Sequence, residues 1–139
     1  MKGWNRRNRS FDKFFLLSNG QYLKIDFREY DKEYWNVSIV IANSKRKCND
    51  ALRKSFSSPK NIYGRVTGTG TNVGEILRLA KSSIKDFEEW ISHYNRGKKI
   101  RIYAANHRLM KIYCHIFFKE GYVKGIDEDD EEYLEKEID

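Results

Sequence analysis

Two short stretches hold residues whose types and order could do chemistry. In Arg65-Val66-Thr67-Gly68-Thr69-Gly70, with Gly74 just beyond, the glycines let the backbone approach a ligand closely. The N–H groups of such a turn, with the start of the helix that follows, form a seat for phosphate. The spacing of Gly68, Gly70 and Gly74 is not that of a dinucleotide fingerprint, and GTGTNVGE lacks a Gly-Lys-Ser/Thr ending. Neither of those two nucleotide-binding classes is expected. The second stretch is Asn106-His107-Arg108-Leu109-Met110-Lys111-Ile112-Tyr113. Asn106 is suited to cap a helix, and the phenol of Tyr113 is a candidate proton donor. It reads equally as a packed core tyrosine. Glu29 and Glu33 flank a hairpin and are the candidate bases, or solvated carboxylates. His93, His107 and His115 are scattered, and Cys48 and Cys114 are unrelated in position. No metal site or Cys–His nucleophile is expected, and the cysteine usage fits a reducing compartment.

Basic and aromatic residues interleave in MKGWNRR, SKRKCNDALRKSF and HYNRGKKIRIY. Trp4, Arg6, Arg7, Lys45, Arg46, Lys47, Arg53 and Lys54 are the candidate contacts to nucleic acid or another anionic partner, with Trp4 or Phe56 free to stack on bases. The alternative is a solvated basic surface. Residues 126–139 hold one Lys against nine acids, a local charge of −8, so residues 1–125 carry +15 of the total of +7. Residues 1–10 are expected to be a basic flexible arm and residues 126–139 an acidic tail, with a single domain between them over 11–125.

The chain has 139 residues, 40% hydrophobic and 14% aromatic, which suits one folded domain. No apolar run approaches a membrane span or a signal peptide, so a cytoplasmic protein with no membrane partner is expected. Residues 22–30 and 34–42 alternate apolar and polar and form an antiparallel hairpin. Residues 11–17 precede them as a strand, turned by Asn19-Gly20. Residues 43–60 read as a long loop with one helical turn near 49–54. Residues 62–69 resume the two-residue period. Val73, Ile76, Leu77, Ala80, Ile84, Phe87 and Ile91 make one apolar helical stripe that runs to about Tyr94. A strand over 99–104, a helix ended by Gly121 and a last strand from Tyr122 complete the order. The fold class is α/β: a mixed sheet with an antiparallel N-terminal hairpin, then strand, helix, strand, helix, strand, with a right-handed parallel crossover.

Arg65-x-x-Gly68-x-Gly70 resembles the R/Q-x-x-G-x-G/A signature of the GNAT acyl-CoA N-acyltransferase superfamily, and Asn106 to Tyr113 resembles its N-x-x-A-x-x-L-Y. The likeness spans roughly residues 20–125 and extends to small acetyltransferase-like proteins of bacteriophages. Leu109 stands where the family has a small residue. The resemblance implies a GNAT-like fold with acetyl-CoA as cofactor, its phosphates lying along Arg65, Gly68, Gly70, Gly74 and Asn106. It also implies Tyr113 as the acid for the departing thiolate. A different class remains open: a non-catalytic phage or mobile-element inhibitor, of the anti-CRISPR or another anti-defence type, that covers a host complex in the host cytoplasm.

Overall fold

The computed structural model describes residues 1–55, 73–103 and 107–139, without the side chains of 53–55, 73 and 107–109. Seven strands form one sheet: β1 (Asn5–Arg7), β2 (Ser10–Leu16), β3 (Tyr22–Tyr30), β4 (Tyr34–Ala42), β5 (Lys99–Tyr103), β6 (Val123–Ile126) and β7 (Glu132–Glu137). Their spatial order is β1-β2-β3-β4-β5-β7-β6. β4 and β5 run parallel, and every other neighbouring pair is antiparallel. The helices are α1 (Lys45–Ser55), α2 (Val73–Tyr94) and α3 (His107–Phe117), the last followed by a 3₁₀ turn at Phe118–Glu120. Among the described residues no helix is long and apolar enough to cross a membrane.

The two-residue period of the strands sorts their side chains onto two faces. Phe11, Leu23, Ile25, Phe27, Trp35, Val37, Ile39, Ile100, Ile102 and Leu134 make one face, and α2 and α3 lie on it with Ile76, Ala80, Ile84, Phe87, Ile91, Met110, Tyr113 and Phe117. Aromatic stacking joins the layers: Phe87 lies flat on Phe27 at 4.1 Å and on Trp90 at 5.6 Å. The expected hairpin is present, with Tyr22 opposite Ala42 and Tyr30 opposite Tyr34. Gly20, at φ 87°, makes the turn before it.

Four expectations are corrected. Residues 5–7 of the supposed arm pair with β2, because Trp4 packs on Phe27 and Phe15 and anchors them. The stretch read as a long loop holds α1 over Lys45–Ser55: Ser44 caps it through the Lys47 N–H, and Cys48, Ala51 and Leu52 pack on Val40 and Ala42 of the second sheet face. The supposed acidic tail contains β7, inserted between β5 and β6 with Leu134 fully buried. The parallel partner of β5 is β4; the strand expected over 62–69 lies outside the described residues.

Tyr133 on β7 constrains β6. A Cβ on Gly125 would stand 2.6 Å from the Tyr133 ring, which is held by the Arg101 guanidinium at 4.3 Å and by Tyr103 at 5.6 Å. Gly125→Ala is therefore expected to cost about 1–3 kcal/mol as overpacking, seen as a lower denaturant midpoint with an unchanged slope.

Candidate functional site

On the face opposite α2 and α3 the sheet carries rows of polar side chains set by strand register. One row reads Asn5, Asp12, Asp26, Ser38 across β1 to β4. The next reads Arg7, Ser10, Arg28, Asn36, Arg101, Glu135 across β1 to β5 and on to β7. Ser10, Asp12, Asp26, Asn36 and Ser38 are buried. The Asn5 side chain donates to Asp12 Oδ1 at 3.2 Å. Asp26 is 2% exposed, and its Oδ2 has no hydrogen-bond partner among the described residues. The nearest cation is Arg28, whose Nε lies at 3.9 Å, too far for a hydrogen bond. Burial pushes the Asp26 carboxyl up to about 6, against the pull of Arg28 and Lys24.

The parallel pair β4 and β5 is in register only from Tyr34 opposite Lys99 to Val37 opposite Ile102. β4 then runs on through Ser38 to Ala42, bonded on its other side to β3. β5 passes Tyr103 to β7 instead. The β4–β5 ladder therefore ends at Val37, and among the described residues no strand pairs with Ser38–Ala42 on the β5 side. The ladder ends beside Ser38, the buried cross-strand neighbour of Asp26. α3 follows β5, and Tyr113 points from it into the core with 1% exposure, edge-on to Phe117 at 6.2 Å.

Of the residues expected to hold a phosphate, Arg65, Gly68, Gly70 and Asn106 lie outside the described residues. Gly74 sits in the first turn of α2, exposed, with open space where a Cβ would be. Glu75 ties that turn to the β2–β3 corner by accepting from the Ser18 N–H at 3.2 Å and from its hydroxyl at 3.0 Å.

The anion-binding candidates are not brought together. Trp4 packs inward and is not free to stack on bases. Arg6, exposed, lays its guanidinium over Phe11 and Trp90, and Arg7 is exposed on the edge strand β1. Lys45, Arg46 and Lys47 are exposed at the start of α1, while the Arg53 and Lys54 side chains and Phe56 lie outside the described residues. Of the two candidate bases, Glu29 pairs with Arg9 at 3.3 Å, and Glu33 lies in the β3–β4 turn. Cys48 is fully buried, and burial pushes its thiol and that of Cys114 up. No group of His, Cys, Asp and Glu among the described residues could hold a metal ion.

Asp26 is the buried acid, and candidate site residue, that the sequence pattern did not reveal. Its place between Lys24 and Arg28 on a strand looked solvent-facing. The available signal was Asp12, an acid in the flanking strand that register sets directly opposite. Comparison with protein-family models, curated proteins and solved structures returns no match.

Proposed function

We propose that the protein is an acyl-CoA-dependent N-acyltransferase. The observation that carries this reading is the parallel pair β4 and β5, whose ladder stops after four positions while β4 runs on to Ala42; the β5 side of that overhang is where this reading seats a slot for the thioester-bearing chain. The sheet order supports it as well: an antiparallel hairpin, a parallel crossover through α2 and a helix directly after β5. By the resemblance, Arg65, Gly68, Gly70, Gly74 and Asn106 hold the phosphates of acetyl-CoA, the source of the acyl group.

In this reading the slot joins the two sheet faces. Tyr113 stands on the helix-covered face and Asp26 on the other. Asp26, ionised above about pH 6, takes a proton from the neutral acceptor amine as its nitrogen bonds the acyl carbon. The carbon–sulfur bond then breaks, and Tyr113 gives its proton to the sulfur. Acetyl-CoA at a hundred times its dissociation constant is expected to add about 2.7 kcal/mol of stability, read as a raised melting temperature. Tyr113→Phe is expected to lower turnover with a primary-amine acceptor by about a hundredfold or more while leaving the fold cooperative. Thiol release measured at saturating acetyl-CoA reads the effect, and unchanged turnover removes Tyr113 as the acid.

The exposed Lys45, Arg46 and Lys47 on α1 favour the second reading, a non-catalytic inhibitor that covers a host protein complex. Absence of any acetyl-CoA shift makes that the standing one.

A further inference from the structure

At the opposite ends of β4 and β5 from the proposed slot, the surface forms an open pocket of about 470 Å³ lined by Lys32, Arg96, Lys98, Lys99 and Arg101, with Glu33 the one acid in its lining. Two turns build it. Asp31 and Lys32 between β3 and β4 both hold left-handed backbone, at φ 52° and 57°, and Gly97 between α2 and β5 does so at 85°. The turns are clamped together: the Lys98 amine donates to the Lys32 carbonyl, and the Lys99 N–H to that of Glu33 at 3.5 Å. Behind them Gly97 N–H donates to the Ile138 carbonyl at 2.8 Å.

The charges are unevenly met. Glu135 engages Arg101 at 2.5 Å and Lys99 at 3.8 Å. No carboxylate among the described residues pairs with Lys32, Arg96 or Lys98. Arg101 is further fixed between the rings of Tyr34 and Tyr133, at 4.1 and 4.3 Å. Cations crowded on a clamped wall repel one another and attract an oxyanion that can accept several of their N–H groups at once. We propose that this cavity binds a phosphate-bearing ligand, held by Lys32, Arg96 and Lys98. The same phosphate chemistry is offered by a free oligophosphate and by the backbone of a nucleic acid. The proposal stands apart from acyl transfer, since the two sites lie at opposite strand ends.

The test titrates the full chain with tripolyphosphate and, separately, with a single-stranded oligothymidylate, at low and moderate salt. Binding of tripolyphosphate alone assigns the site to free oligophosphates, and binding of the oligonucleotide, with or without tripolyphosphate, to a nucleic-acid backbone. The triple variant Lys32→Gln, Arg96→Gln, Lys98→Gln is expected to lose about tenfold or more of the affinity. On the oligonucleotide the salt dependence should become shallower by about 2 in the log–log slope. The matched variant Lys45→Gln, Arg46→Gln, Lys47→Gln removes the same charge from α1 and is expected to stay within about twofold. Should the first triple variant unfold, Lys32→Gln alone, on an exposed turn, carries the comparison with Lys45→Gln. Equal losses from the two positions, or no binding of either probe at low salt, overturn the proposal.

Discussion

Ending the chain at Ile126 is expected to abolish cooperative folding, although the deleted segment is the most acidic part of the sequence. β7 pairs with β5 from Lys99 opposite Glu137 to Tyr103 opposite Tyr133, and with β6 from Val123 opposite Glu135 to Ile126 opposite Glu132. Its deletion strips both strands of these partners and leaves β6 without a sheet. Leu134, fully buried, and Ile138 leave a void under α3 and α2. Each such side chain contributes about 1.5–3 kcal/mol by burial alone. Arg101 and Lys99 lose Glu135, Tyr103 loses the hydroxyl-to-carboxylate bond to Asp127 at 3.0 Å, and a strand interior is opened to water. The combined loss is of the order of the whole stability of an ordinary domain, about 5–15 kcal/mol. Far-UV circular dichroism with thermal melting checks it, and a cooperative transition in the shortened chain contradicts the account of β7.

Asp26→Asn is expected to move stability and activity in opposite directions. The Asp26 carboxyl is raised from 3.8 to about 6 by burial, so the native state keeps a proton that the unfolded chain has already released between those values. Native stability therefore falls as pH rises across that window, by about 3 kcal/mol at most, and is level above it. Asparagine cannot ionise and escapes this loss. Part of the gain is offset because the variant loses the attraction between the Asp26 carboxylate and Arg28, 3.9 Å away. The net expectation is a stabilisation of about 1–3 kcal/mol at pH 8 that shrinks towards zero at pH 4. Parallel denaturant titrations of the two proteins at both pH values measure it. Under the acyl-transfer reading the same substitution removes the base, and the rise in turnover through about pH 6 disappears. A variant equally stable at both pH values and fully active would show that Asp26 is neither strained nor catalytic.

Much of the scaffold was legible in the residues. Hydrophobic period placed β3, β4, α2 and β5 within a residue or so, because their apolar residues face one deep core through Phe27, Val37, Ile84 and Ile102. α1 was read as a single turn near 49–54 because Cys48, Ala51 and Leu52 are the few apolar residues with which this strongly basic segment packs on the sheet. β7 was missed for a related reason. Its side chains pair with charges on β5 and β6, Glu135 with Arg101 and Glu132 with Lys124, and local charge cannot reveal a partner thirty residues away. The site was half legible. Tyr113 stood out by its helical stripe, whereas Asp26 acquires its character only from the strands that bury it. The end of the β4–β5 ladder at Val37, on which the proposed slot rests, is set by how two strands pair and by no residue pattern.

The insertion of β7 between β5 and β6 also sets an order of events during synthesis. A chain emerging from the ribosome can join β1 to β4 into a meander early, but β6 has no place to dock until Leu134 has been made. Until then β5 presents a bare edge and α3 an unburied apolar stripe, the kind of surface that chaperones recognise and that aggregates when crowded. Translation pauses or premature release before that point are for this reason more hazardous to this architecture than to one whose strands add in sequence.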